Sequence, residues 1–156
     1  MRSSSIDRVM STAERHGLHV IVSTFPEGTR TAADAAAAIG CDVAAIVKSL
    51  VFTVGDEAVV ALVPGDRRLD TSALGSAAGG GRARRADLDT VRAATGFVAG
   101  GTPPFGHVNP LRVFADSALR RHDPVWAAAG TPTTVFPIAL HDLDRIVRPV
   151  WAAISE

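Results

Sequence analysis

Lysine occurs once in this 156-residue chain, at Lys48, against fifteen arginines. The segment VKSLVFTV around it reads as a strand, so Lys48, Leu50, Phe52 and Val54 share one face and Val47, Ser49, Val51 and Thr53 the other. The single ammonium therefore sits on the more apolar face. An ordinary explanation exists, since a lysine at a strand's start can snorkel past the sheet edge. The chemical one is that a compact ammonium fits a narrow pocket, where it makes point contact with a phosphate or polarises a carbonyl as a guanidinium cannot. Downstream lies GGTPPFGHVNP, with three prolines and three glycines in eleven residues. Its adjacent Gly100 and Gly101 let backbone N–H groups approach a ligand, and Pro103 with Pro104 stiffens the loop, which would aim those donors at a carbonyl oxygen. A rigid turn between strands would have the same composition.

The other reactive side chains form weaker patterns. The five histidines are scattered, and Cys41 is the only cysteine, so neither a zinc site nor an internal disulfide is expected. No serine sits in a GxSxG elbow, and the run Gly79-Gly80-Gly81 lacks the Lys-Ser/Thr pair of a phosphate-binding loop. Cys41 beside Asp42 reads as a small buried thiol. Arg82, Arg84 and Arg85, with Arg92 nearby, are the densest basic patch: a solvated face, or a landing site for a few RNA phosphates.

Composition bounds what such a site serves. Sixteen basic and sixteen acidic side chains cancel, which argues against a grip on long duplex nucleic acid and leaves a local RNA contact open. At 47% hydrophobic and 21% charged residues, the chain can build a real core and suits one domain spanning 1–156. No apolar run nears the roughly 20 residues that span a bilayer, and the N-terminal stretch lacks a secretory apolar core, so a cytoplasmic location is expected.

Several elements must position these residues. Apolar spacing predicts a helix over 4–16, stopped by Gly17, and HVIVSTF predicts a strand over 19–25. Thr31 with Asp34 starts a short helix ending at Gly40, and Asp42 caps one further turn through Ala45. VKSLVFTV and EAVVALVP pair through Gly55-Asp56 as a hairpin. Asp70 and Asp87 each open a helix, and the Gly79–Gly81 run with RARR leads into a short strand or arm. RVFAD, PVWAAAG and TTVFPIA read as strands, with SALRR as a turn. HDLDRIVRPVW reads as a closing helix capped by His141 or Asp142. With antiparallel pairing and no regular βαβ rhythm, the expected class is α+β with a mixed sheet.

Lys48 in VKSLVF, followed by TGFVAGGTPPFGH, a strand ending in Asp116-Ser117, WAAAG and IALHDLDRI, resembles the YbaK/EbsC family over about residues 20–147. That family contains stand-alone aminoacyl-tRNA editing proteins related to the insertion domain of bacterial prolyl-tRNA synthetases. The resemblance implies an α/β fold, a curved mixed sheet flanked by helices. It also implies hydrolysis of the ester joining a wrong small amino acid, such as Cys or Ala, to the 3′ end of a tRNA, usually that for proline. By resemblance, Lys48 holds the terminal adenosine and its phosphate, and the loop carrying Gly100, Gly101, Thr102 and Pro104 offers donors to the aminoacyl carbonyl. Ser49, Pro103, Asp116, Ser117 and Gly130 would contact substrate.

The same resemblance calls for no metal or cofactor, since a hydroxyl or thiol of the substrate assists the attack. Its implied partners are the tRNA 3′ end and prolyl-tRNA synthetase, with no membrane and no DNA. Two positions depart from the family pattern: Pro103 replaces a frequent Ser or Thr, and Ala128 replaces the Ser of a Ser-Ala-Gly stretch. These leave the preferred amino acid open, along with the alternative of a catalytically silent aminoacyl-tRNA-binding or synthetase-associated module. A Schiff-base enzyme built on Lys48 is a third possibility, separable by borohydride trapping.

Overall fold

A computed structural model describes residues 4–27 and 31–156. In chain order its elements are α1 (Ser5–Arg15), β1 (Ser23–Thr24), α2 (Ala32–Ile39), β2 (Ile46–Val54), β3 (Glu57–Pro64), α3 (Thr71–Ala77), β4 (Ala83–Arg85), α4 (Leu88–Thr95), β5 (Arg112–Asp116), β6 (Val125–Ala128), β7 (Thr134–Ile138), α5 (Leu140–Val147) and β8 (Val150–Ala152). The strands form one mixed sheet in the order β1-β7-β6-β2-β3-β5-β8, with β4 added to β2. The expected mixed α/β architecture is the observed one.

Local sequence signals start most of the helices. Ser4 and Asp7 exchange side-chain and backbone bonds as a capping box, and Thr31, Asp70 and Asp87 each accept the N–H three residues on. Caps of this kind contribute about 1 kcal/mol each. Asp42 likewise caps a 3-10 turn at Val43–Ala45 that feeds β2.

The hairpin is the centre of the sheet. Its two-residue turn sets Val54 opposite Glu57 and Lys48 opposite Val63. Alternation along β2 divides its side chains between two cores. Val47 and Val51 join α1, α4 and α5 through Val9, Val91 and Leu143, whereas Phe52 and Val54 join Leu74 of α3, Phe114 and Ile154. Lys48 belongs to the second face by the same alternation.

Two expectations are corrected. Only Ser23–Thr24 of the 19–25 segment is strand, paired with Thr134 and Val135. Val20 is buried and Val22 packs on the main core, yet the residues before Ser23 find no ladder partner, and burial without pairing leaves extended chain. The last helix begins after Ala139 with no side-chain cap from its own segment. Asp123, from the segment before β6, accepts the Leu140 N–H at 3.0 Å, while Asp142 sits inside the first turn and pairs with Arg145 at 2.7 Å. The helix also stops early: Arg148 turns left-handed and Pro149 cannot continue it, so Val150–Ala152 leaves to pair with β5.

Gly65 locks α2 onto the hairpin. A Cβ there would lie 2.5 Å from the Val43 carbonyl oxygen and 2.7 Å from the Ala32 Cβ. Gly65→Ala is therefore expected to cost about 1–3 kcal/mol and lower Tm by roughly 3–10 °C in a thermal melt. An unchanged Tm would mean α2 is not held there.

Candidate active site

The site lies where β2 changes neighbours. Ile46 and Val47 pair in parallel with Trp126 and Ala127, and Phe52, Thr53 and Val54 pair antiparallel with β4. Between these two ladders, residues 48–50 are paired only with β3. Gly65 N–H bonds the Ile46 carbonyl on the β3 side and Ala86 N–H bonds the Val51 carbonyl on the other. Alternation along the strand then turns the N–H and C=O of Ser49 toward the gap. A cleft of about 1000 Å³ opens here, bounded by β2, α2, Trp126 to Ala128, Gly100 with Thr102, and the 65–69 turn.

Lys48 reaches across to the turn that follows β3, donating from Nζ to the Arg67 carbonyl at 2.6 Å. Burial pushes its ammonium below the usual lysine range; Asp66 opposes this, while Arg85 and Arg68 add to it. With Arg67, Arg68 and Arg85 beside Lys48 and only Asp66 and Glu156 against them, the cleft wall carries a net positive charge suited to an anion. Ser49 Oγ is buried in the wall with no hydrogen-bond partner among the described residues. An orphaned buried hydroxyl is costly unless a ligand completes it.

The facing loop is fixed from behind. Gly101 N–H and Thr102 Oγ1 both donate to the Val98 carbonyl, at 3.0 and 3.1 Å. Phe105 packs edge-on against Phe136 in the main core, and His107 Nε2 bonds the Pro103 carbonyl at 2.8 Å. Burial pushes His107 below the usual histidine range, and its bond to the Pro103 carbonyl opposes this. Among the described residues, no hydrogen bond occupies the N–H of Gly100 or Thr102, the two residues of this loop that line the cleft.

The cleft brings together Lys48, Ser49, Gly100 and Thr102. The remaining candidates lie elsewhere. Gly101 faces backwards, with a Cβ position 2.8 Å from the Thr131 backbone, and Pro103 and Pro104 are buried behind the loop. Gly130, at φ 105°, abuts the Ser5 carbonyl under α1. Ser117 is exposed at the head of a 3-10 turn, and Asp116 is buried among backbone and Ser155 donors. Sequence reasoning missed Arg67, Arg68, Asp66 and Glu156. The hairpin register held the signal for the first three, because pairing Lys48 with Val63 carries the residues just after β3 to the mouth of β2.

Residues 26–146 match the model of the aminoacyl-tRNA editing domain. YwhH of Bacillus subtilis (strain 168) is 29% identical over 137 residues, covering 86% of this chain and 87% of that protein. The "Putative Cys-tRNA(Pro)/Cys-tRNA(Cys) deacylase EbsC" of Enterococcus faecalis is 29% identical over 108 residues, 68% of this chain and 65% of its own length. A proline–tRNA ligase of Nitratidesulfovibrio vulgaris is 36% identical over 93 residues, 60% of this chain but 16% of the ligase. A crystal structure described as "a putative trans-editing enzyme for prolyl tRNA synthetase" superposes with TM-score 0.92 at 39% identity, over 100% of this chain and 99% of that one. With most of its length matched by that domain and its whole sheet by that structure, the chain belongs to the aminoacyl-tRNA editing domain family.

Proposed function

We propose that the protein is a cytoplasmic, trans-acting hydrolase that removes a small wrong amino acid from the 3′ end of tRNA, with tRNA(Pro) as the tRNA it serves and prolyl-tRNA synthetase as the enzyme whose errors it corrects. The observation that carries this reading is the lone lysine on the wall of a cleft that Gly100 and Thr102 also line, with the N–H groups of both unoccupied among the described residues. An aminoacyl-tRNA end offers a phosphodiester for a cation and an ester carbonyl for N–H groups. Lys48 would hold the terminal nucleotide, with the arginines at the rim attracting its phosphates. The N–H groups of Gly100 and Thr102 would stabilise the oxyanion as water adds to the ester carbonyl; the acyl–oxygen bond then breaks, giving free amino acid and a tRNA with its 3′ hydroxyl restored. Ser49 would complete its hydrogen bonding with the substrate.

Such a site answers a physical need. One methylene is worth about 1–3 kcal/mol in a binding pocket, so a synthetase for proline mischarges smaller amino acids and a second sieve corrects it. Reading a single-stranded end requires no long basic groove, which fits a chain of zero net charge.

The test is deacylation of alanyl-, cysteinyl- and seryl-tRNA(Pro), each with a normal or a 2′-deoxy terminal adenosine. Hydrolysis of at least one normal substrate is expected, slowed by the deoxy sugar if the ribose assists. Spontaneous rates throughout would overturn the reading.

A further inference from the structure

Among the described residues, Asp116 is the one ionisable side chain that is buried, at 2% exposure, and it lies outside the cleft. Its Oδ1 accepts the Ile154 N–H at 2.9 Å; its Oδ2 accepts the Ser155 hydroxyl at 2.8 Å and the Ala118 N–H at 3.2 Å. The Ser155 oxygen in turn accepts Arg67 Nε–H at 2.5 Å, and Arg67 Nε itself stands 4.0 Å from Asp116. The carbonyl of that same Arg67 holds Lys48 Nζ. Around this path the chain is clipped twice more, by paired backbone bonds between Arg68 and Glu156 at 3.0 and 2.7 Å. Hydrogen bonds thus run from a buried carboxylate, through a bridging hydroxyl, to the guanidinium of Arg67, and the backbone carbonyl of that same residue, joined to the guanidinium covalently, is the acceptor of the single lysine.

We propose that Asp116 is a positioning residue for Lys48: acting through Ser155 and Arg67, it fixes the carbonyl that holds the ammonium on the cleft wall. Its contribution to catalysis rests on the deacylase reading of the cleft; its control of Lys48 does not. Burying a carboxylate is costly, and a network of this kind is retained where every member is satisfied and the geometry it sets is needed. Lys48 has four rotatable bonds and a half-buried head. Without a fixed acceptor, the ammonium would sample positions that miss the ligand.

Because lysine occurs once, protein labelled with 13C-lysine gives one lysine side-chain signal, that of Lys48. Asp116→Asn and Ser155→Ala are both expected to move its 13Cε signal in the same direction, with core methyl signals unchanged in Ser155→Ala. A Lys48 signal unmoved by Ser155→Ala overturns the proposal, even if Asp116→Asn fails to fold. The second measurement is the Kd of a 5′-phosphorylated adenosine carrying alanine through a 3′-amide. Ser155→Ala is expected to weaken it about fivefold to tenfold when Lys48 is present, and not when combined with Lys48→Ala. Equal weakening in both backgrounds would assign the network to structure alone and overturn the proposal. If the unmodified protein does not bind this probe, the deacylase reading fails, while the lysine signal still decides what Asp116 does.

Discussion

Replacing Lys48 by alanine is expected to slow single-turnover deacylation by about 100- to 1,000-fold, the usual cost of removing one preorganised polar contact from a reacting site. The fold should survive, with Tm within about 3 °C, because the lost group is a half-buried cation and not core packing. Lys48→Arg should not restore the rate, since a planar guanidinium cannot occupy the place of the ammonium against the Arg67 carbonyl. The pH dependence follows from burial. A depressed pKa means Lys48 gives up its proton at lower pH than a free lysine, so ligand binding should weaken on the alkaline side before the usual range of about 10.4 is reached. Binding of the amide-linked analogue, which cannot hydrolyse, measures this without base-catalysed ester loss.

Gly101→Ala is expected to produce the second large effect, for a steric reason. Its Cβ would stand 2.8 Å from two Thr131 backbone atoms, in a turn that Thr131 and Thr134 brace through a 2.7 Å side-chain bond. Phe105 and His107 pin the far side of the loop, so the strain must be taken up by Gly100 to Thr102. A displacement of about 1 Å in positioned groups costs roughly 100-fold in rate. The loss should appear in kcat more than in KM, as the moved donors serve the oxyanion. Full activity in a folded Gly101→Ala protein would place the carbonyl donors elsewhere.

Much of this site was legible in the sequence because its two halves are local. The alternation around Lys48 and the Gly/Pro content of the 100–107 loop are properties of short segments, and the structure sets Lys48, Ser49, Gly100 and Thr102 around one cleft. The Gly55-Asp56 turn also gave the hairpin and its register. What sequence patterns did not convey depends on partners distant in the chain. Whether HVIVSTF forms a ladder is decided by β7, and the cap of α5 comes from Asp123. Asp116 ends a strand and precedes a serine, which reads as a substrate contact; only the hydrogen bonds it accepts from Ile154 and Ser155 reveal an internal role. The gap in the sheet at residues 48–50 is likewise invisible locally, because it arises from β6 and β4 both ending short of it.

The central claim is that the cleft beside Lys48 hydrolyses aminoacyl-tRNA. The most direct measurement compares wild type and Lys48→Ala in single-turnover deacylation of alanyl-, cysteinyl- and seryl-tRNA(Pro). Wild type is expected to hydrolyse at least one of them well above the spontaneous rate, and the variant, folded with a Tm within about 3 °C of wild type, to return it to background. Equal rates for the two proteins on every substrate would contradict that claim.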